Sequence, residues 1–162
     1  MKKYIALILA LVLAFSFAGC SGNKNEEEAP AASINVEDVY ASIESAVEMN
    51  EMTILEDDMI LNLLGIETEK TVQLKVAIAK HADLLADEIW LVEAVDEAAA
   101  AEIVELANTR LELQAAASMT YSPEQYEIVN KAEIITQGNF VALIVSPDVA
   151  DIVPVVNEAF GK

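Results

Sequence analysis

The feature that most constrains the fold is a run of six apolar residues near the C-terminal end, Phe140–Val145 (FVALIV). Side chains of a strand alternate between the two faces of a sheet, so an unbroken apolar run is typical of a strand that is buried on both faces. Gln137-Gly138 separates it from another strand-like run at 133–136, which predicts a β-hairpin with glycine in the turn. We therefore expect an antiparallel sheet in which Phe140–Val145 is a central strand.

Two stretches upstream also carry strand patterns. In residues 72–78, Val, Leu, Val and Ile alternate with Gln, Lys and Ala, which is the period of a half-buried strand. Residues 88–95 (EIWLVEAV) are apolar almost throughout and predict a more deeply buried strand. With the hairpin, these stretches predict a sheet of three or four strands.

Helix-start and helix-stop signals surround these strands. Asn, Asp or Ser at an N-cap accepts hydrogen bonds from first-turn amides, Pro fits the first helical position, and Gly often follows the last turn. Such signals predict five helices. The first follows Asn35, the second covers about 55–64 and ends before Gly65, and the third runs from 97 to about 119 after Asp96. The fourth begins at a Ser122–Gln125 capping box (SPEQ), and the fifth follows Ser146–Asp148. The predicted fold class is α+β, with helices packed on the sheet in a single domain over residues 36–162.

The N-terminal segment differs in character from this domain. Lys2 and Lys3 give a positive start, residues 4–14 are an apolar run, and small residues lie directly before Cys20, which is the anatomy of an export signal. The run is shorter than the roughly 20 apolar residues that span a membrane. We predict that residues 1–19 form a lipoprotein signal peptide and that Cys20, the only cysteine, carries the lipid anchor. A secreted protein with a free thiol and a retained anchor helix are the alternatives.

The segment after this cysteine predicts a tether, and the overall charge limits which partners the protein can bind. Residues 21–32 (SGNKNEEEAPAA) are small, polar and acidic, so we expect 20–35 to be a disordered tether that follows the lipidated cysteine. The chain has 28 acidic and 9 basic residues and a formal net charge of −19. Nucleic acid is an improbable partner for such a chain, because binding it requires clustered Lys and Arg. The expected location is the extracytoplasmic side of the cell membrane, which the protein contacts through Cys20.

One charged residue does not fit its predicted helix face. Projection of the long helix at about 100° per residue places Arg110 and Gln114 on the apolar side, together with Ile103 and Leu113. A buried guanidinium must be paired, so one interpretation is an ion pair with an internal carboxylate such as Glu93 or an acid of the first helices. The other is a receptor for a small anion, in which Arg110 provides a bidentate fork and Gln114 a further donor. Under the receptor hypothesis, Arg110→Met should leave the fold intact and abolish anion binding.

Few other side chains are arranged for chemistry. Tyr121 and Tyr126 flank the capping box and could wall an anion pocket, with packing at the core or rim as the alternative. The single histidine, His81, has no partner at a metal-ligand or catalytic spacing, and we expect it in a loop or at a strand end. Acidic clusters such as Glu56–Asp58 are expected to be solvated surface, with weak calcium binding as the alternative. We therefore predict no metal site, no cofactor and no enzymatic activity.

Four short stretches carry a resemblance to a known family. They are Asp87–Ile89 (DEI), Arg110–Gln114 (RLELQ), Tyr121–Tyr126 (YSPEQY) and Gly138–Val141 (GNFV). In these stretches the chain resembles a family of small lipoproteins of Gram-positive anaerobes, which is known only as a domain of unknown function. The resemblance implies a Firmicutes-type lipoprotein that faces outward from a single membrane, and it implies no catalytic residues. Phe140 stands where the family is expected to have Tyr, which weakens any role for a hydroxyl there.

The sequence as a whole favours a membrane-tethered accessory module that binds an envelope protein or a cell-wall component. It has an anchor, a tether and a compact domain, but no recognisable reaction centre. The first alternative is the small anionic-ligand receptor built on Arg110 and Gln114, and the second is a hydrolase that uses two facing carboxylates. A contiguous apolar patch on the domain would favour the module, because monomers rarely expose a large one.

Overall fold

Helix α1 begins where the sequence predicts it. In the computed structural model, which describes residues 34–162, the side-chain oxygen of Asn35 accepts a hydrogen bond from the Glu37 amide at 2.8 Å, and α1 covers Val36–Ala46. Ile34 packs against the core beside it, so the described unit, Ile34–Lys162, starts two residues before the predicted domain. The predicted signal peptide, Cys20 and residues 20–33 of the predicted tether lie outside the described residues.

The other elements follow in chain order, with a 3-10 turn at Thr68–Lys70 before the second strand. They are β1 Met52–Ile54, α2 Asp57–Leu64, β2 Thr71–Ala79, β3 Glu88–Ala94, α3 Glu97–Tyr121, α4 Pro123–Asn130, β4 Glu133–Gln137, β5 Phe140–Val145 and α5 Val149–Ala159. The predicted α+β class is confirmed. The short strand β1 was not expected, so the sheet has five strands and not three or four.

The strands pair antiparallel throughout, in the order β1-β2-β3-β5-β4. Strand β5 lies between β3 and β4, and its residues 141–145 are fully buried, which confirms the prediction from its apolar run. The predicted hairpin is β4–β5. Gln137 pairs with Phe140 at its end, and Gly138 has a φ of 56°, a left-handed value that favours glycine.

Helices cover both faces of this sheet. Even-numbered side chains of β3 face α2, α3 and α4, whereas odd-numbered ones face α1 and α5. Strand β2 was predicted to be half-buried, but at its centre Val76 lies in the first core and Ala77 in the second. The largest fully buried side chains come from both layers and include Trp90, Ile43, Ile60, Ile66, Ile89, Leu91, Leu143, Ile144 and Ile152.

The side chain of Gln73 in β2 joins the beginning of the described chain to the sheet through hydrogen bonds. Its Nε2 donates to the Ile34 carbonyl at 2.8 Å and to Glu93 Oε2 at 2.6 Å, and its Oε1 accepts from the Val36 amide at 3.1 Å. Glu93 lies near the end of β3. Residue 34 therefore joins the domain at this end of the strand, on the face covered by α1 and α5.

Helix α3 is longer than the central strand β3 on which it packs. Its 25 residues extend about 37 Å at 1.5 Å per residue, whereas the 7 residues of β3 extend about 24 Å. Its buried residues all lie between Ala99 and Ala107. In the second half, residues 108–121, Leu111 and Ala115 still pack against the core but are only partly buried. Leu113, which was expected on the apolar side, is exposed. Within residues 34–162, neither this helix nor any other has the length and apolar character to cross a membrane.

Candidate functional site

A buried carboxylate lies where β3 meets α3. Glu88, the first residue of β3, is 1% exposed, and three side chains donate hydrogen bonds to its carboxylate. Arg110 donates from Nε and Nη2 at 2.8–3.1 Å, Gln114 from Nε2 at 2.7 Å, and Trp90 from Nε1 at 2.6 Å. The charge of Glu88 is therefore compensated by an ion pair and two neutral donors, as a buried charge requires.

Local periodicity brings these four residues together. Glu88 and Trp90 are two residues apart in a strand, so both side chains point to the α3 face. Arg110 and Gln114 are four residues apart in a helix, so they lie one turn apart on the same side of α3. The network therefore needs only that this part of α3 lies over the start of β3.

Arg110 forms an ion pair inside the molecule, as one of the two interpretations expected, but the suggested partner Glu93 was wrong. Glu93 is odd-numbered in β3 and points to the opposite face, where it accepts the hydrogen bond from Gln73. Glu88 is the residue that the sequence interpretation missed. Its position two residues before Trp90, in a stretch shared with the resembled family, was the available signal.

The network keeps some hydrogen-bonding capacity. Glu88 occupies the Nε and Nη2 edge of the guanidinium, and a guanidinium has a second edge formed by Nη1 and Nη2. The Arg110 side chain is 28% exposed, so this group reaches the surface. Gln114 Oε1 is buried and has no hydrogen-bond partner among the described residues.

A groove of about 400 Å³ lies beside this network, between residues 82–86 and the second half of α3. We call it the α3 groove. Three large apolar side chains on it are more than half exposed: Leu84 at 68%, Leu113 at 61% and Tyr121 at 89%. Its lining residues are Ala82, Asp83, Leu84, Leu85, Ala86, Arg110, Leu113, Gln114, Ala117, Ser118, Tyr121, Ser122 and Gln125. The α3 groove is thus a mixed surface, on which exposed apolar side chains lie beside the polar network at Arg110 and Gln114.

Gln125 holds the loop wall of the groove in place. Its Oε1 accepts a hydrogen bond from the Ala86 amide at 2.7 Å, and the His81 carbonyl accepts from the Leu84 and Leu85 amides. The predicted capping box is therefore wrong, because Ser122 makes no side-chain cap hydrogen bond and Gln125 serves another backbone group. Pro123 does occupy the start of α4, and His81 lies in an exposed turn after β2, as expected.

The structure separates the four residues that the sequence placed at a ligand site. Arg110, Gln114 and Tyr121 all line the α3 groove. Tyr126 is half-buried in α4 and does not line it. The exposed Leu84 and Leu113 complete the surface. Sequence reasoning missed them because helical periodicity does not show which apolar residues of a helix a neighbouring element leaves uncovered, and Leu84 lies in a turn that has no periodicity.

A second depression, of about 650 Å³, lies between α1 and β1 and is strongly acidic. Lys75 forms an ion pair with Glu37 and lies 4.8 Å from the centre of the Tyr40 ring. Burial, and then the charge of Glu44, raises the pKa of Tyr40 to about 12, so this hydroxyl stays protonated at neutral pH. In residues 34–162, no three His, Cys, Asp or Glu side chains are grouped to hold a metal ion.

Comparison with known proteins assigns the chain to a family, but that family has no known activity. A family model described as Domain of unknown function (DUF4358) matches residues 44–146. No curated protein matches the chain, and no solved structure matches it either. The matched range contains the Glu88 network and the whole α3 groove, and it begins well before Asp87, where the resemblance noted from the sequence starts.

Proposed function

Because the chain belongs to the family Domain of unknown function (DUF4358), we propose a function from its own structure and not from a named relative. The protein is a membrane-anchored lipoprotein of Firmicutes type, held at the extracytoplasmic side through Cys20. Its domain is a binding module for an envelope protein or a cell-wall component, and not an enzyme.

The α3 groove is the observation that carries the binding role. Leu84, Leu113 and Tyr121 stay exposed around one concavity, although apolar surface is more stable by about 25 cal/mol per Å² when it is covered. Exposed apolar side chains that are grouped on one part of the surface are typical of an interaction surface. The polar groups beside it support binding over catalysis, because Glu88 already accepts hydrogen bonds from Arg110, Gln114 and Trp90.

The anchor is supported by the sequence alone. Lys2 and Lys3, the short apolar run and the small residues before Cys20 have the order that lipidation requires. Labelling of growing cells with tritiated palmitate should mark the wild-type protein and not Cys20→Ser. Equal labelling of the two would contradict lipidation at this cysteine.

The binding role is tested by crosslinking in intact cells, followed by mass spectrometry of the captured proteins. Leu113→Asp places a charge in the groove, and Val72→Asp is its matched control, because Val72 is 60% exposed and lies towards the other end of the sheet. Wild type and Val72→Asp should capture the same envelope protein. Leu113→Asp and Cys20→Ser should lose it.

Two results would contradict the proposal, each in a different part. Undiminished capture by Leu113→Asp would place the interaction outside the α3 groove. Undiminished capture by Cys20→Ser would show that binding does not need the anchor. If no protein is captured but cell-wall fragments co-purify with wild type and not with Leu113→Asp, the partner is a wall component.

A small anionic ligand is the alternative occupant, because Arg110, Gln114 and Tyr121 line the same groove. Glu88 competes with such a ligand, since it already takes one edge of the guanidinium. Calorimetric titration with acetate and with inorganic phosphate tests this alternative. Binding that Arg110→Lys weakens and the uncharged Leu113→Asn leaves unchanged would favour the receptor over the module.

A further inference from the structure

We propose that the α3 groove takes a basic amphipathic helix of the partner protein, with apolar side chains on one face and Lys or Arg beside them. This inference rests on the proposed function and gives the chemical character of the partner. It is carried by the charge around the groove and by the spacing of the residues that line it.

In the part of the chain that the structure describes, the groove lining has one charged side chain that no ion pair engages, and that side chain is acidic. Among the described residues, Arg110 is the only Lys or Arg on its lining, and Glu88 neutralises it. Asp83 lies on the lining, and two exposed carboxylates, Glu112 and Glu124, are adjacent in sequence to lining residues. Elsewhere in residues 34–162, ion pairs also engage Lys70, Lys75 and Lys80. A partner with cations at its edges therefore complements this surface.

One wall of the groove is a face of α3 that carries both apolar and polar side chains. The lining positions on α3 are 110, 113, 114, 117, 118 and 121, which recur every three or four residues and form one ridge. The ridge is about 17 Å long at 1.5 Å per residue. The loop leucines, Leu84 and Leu85, form the opposite wall. A ridge and a wall of this kind form a trough in which a partner helix of about three turns can lay its apolar face.

The same charge disfavours a second copy of this chain. Two copies that met through their α3 grooves would bring Asp83, Glu112 and Glu124 of each together, and like charges at an interface oppose association. With a formal net charge of −19, the whole chain adds to this repulsion.

The test uses the full chain in zwitterionic micelles, with the photo-crosslinking residue benzoylphenylalanine at position 113 or, as the control, at position 72. The probes are two biotinylated amphipathic peptides of about 14 residues, one built from Leu and Lys and the other from Leu and Glu in the same pattern. Position 113 should capture the Leu/Lys peptide about tenfold more than the Leu/Glu peptide at low salt. The preference should shrink at about 0.5 M salt, because salt screens surface charges. Position 72 controls for peptide that binds the micelle.

Three results would overturn the inference. They are equal capture of both peptides at position 113, capture no greater than at position 72, and a crosslinked dimer of the chain. None of them affects the capture of an envelope protein in cells, which uses no peptide. A different result would contradict only the proposed function. If position 113 captures the Leu/Lys peptide but Leu113→Asp has no effect in cells, the groove does prefer a basic amphipathic helix, but it is not the site that binds the envelope partner.

Discussion

Glu88 and Arg110 stabilise the fold only as a pair. Arg110→Met would leave the buried Glu88 carboxylate with two neutral donors, and loss of one partner of a buried ion pair costs about 3–5 kcal/mol. Because the Arg110 side chain is 28% exposed, we expect the lower end, about 3 kcal/mol. Urea denaturation followed by the fluorescence of Trp90, the only tryptophan, measures this directly.

The double variant Glu88→Gln/Arg110→Met is the control for this prediction. It removes both charges together, so its free energy of unfolding should be closer to wild type than that of Arg110→Met. Wild-type stability of the single variant would show that Glu88 does not depend on Arg110. The expected loss of stability is the opposite of what the receptor hypothesis predicted for Arg110→Met.

Part of this network could be predicted from the sequence. Arg110 and Gln114 were identified because helical periodicity showed them on an apolar side. Their partner could not be chosen, because Glu88 and Glu93 lie in the same strand on opposite faces, and the residues between them are apolar throughout. Only the packing of α3, a contact between residues 22 positions apart, selects Glu88.

Tyr40 should make the protein less stable at alkaline pH. Its pKa is about 12 in the folded state, raised from 10 first by burial and then by Glu44. The folded state therefore holds this proton more tightly than the unfolded chain. The resulting stability is fully present below pH 10 and is lost as the pH rises from 10 to 12.

Urea denaturation at pH 9 and at pH 12 tests this prediction. The loss of unfolding free energy should be smaller for Tyr40→Phe than for wild type. Tyr121→Phe removes a hydroxyl from an 89% exposed ring and should behave like wild type. An identical loss in all three proteins would assign the alkaline instability to other groups.

At the scale of elements, the two helix starts around α3 and α4 should respond differently to the same change. Asp96 accepts a hydrogen bond from the Ala99 amide at 2.8 Å, so Asp96→Ala should lower the free energy of unfolding by about 1 kcal/mol. Ser122 makes no such bond, so Ser122→Ala should change it little. Urea denaturation of both variants compares them. A loss of similar size in both would mean that Ser122 also caps α4 in solution.

Gln125 is expected to control the loop wall of the α3 groove. Gln125→Ala removes the acceptor of the Ala86 amide, so hydrogen exchange at that amide should become faster. Gln125→Glu keeps a side-chain oxygen at the same position and should preserve most of the protection. Unchanged exchange in Gln125→Ala would show that other contacts hold this loop.

The elements that the sequence predicted are those with local signals. Strands β2, β3 and β5 and helix α3 have clear periodicity or caps within their own residues. Strand β1 has only three residues, too few for a period, and exists because β2 offers it a pairing edge. The capping box failed for a related reason, because a backbone amide from residue 86 recruits Gln125, and local sequence does not show that partner.

For the whole molecule, charge should oppose folding at low ionic strength. The formal net charge of −19 makes the compact state repel itself. Among residues 34–162, ion pairs that oppose this repulsion engage Lys70, Lys75, Lys80 and Arg110. Acids outnumber bases so strongly that screening should relieve more repulsion than attraction. Thermal unfolding should therefore occur a few degrees higher at about 0.2 M sodium chloride than at about 0.01 M. A lower Tm in salt would mean that the ion pairs dominate.

The position of Gln73 has a mechanical consequence. It fastens residue 34 at the level of Glu93, whereas the α3 groove lies by Glu88, about 17 Å away along β3 and on the opposite face of the sheet. If the N-terminus is anchored and the groove holds a partner, as proposed above, a force between them would run along β3. The hydrogen bonds of β3 to β2 and β5 are perpendicular to that direction. Such a force would therefore load all of these hydrogen bonds together, as a shear, and would not break them one after another. If the proposed anchor and partner exist, the strand at the centre of the sheet would be the part of the molecule that resists such a pull.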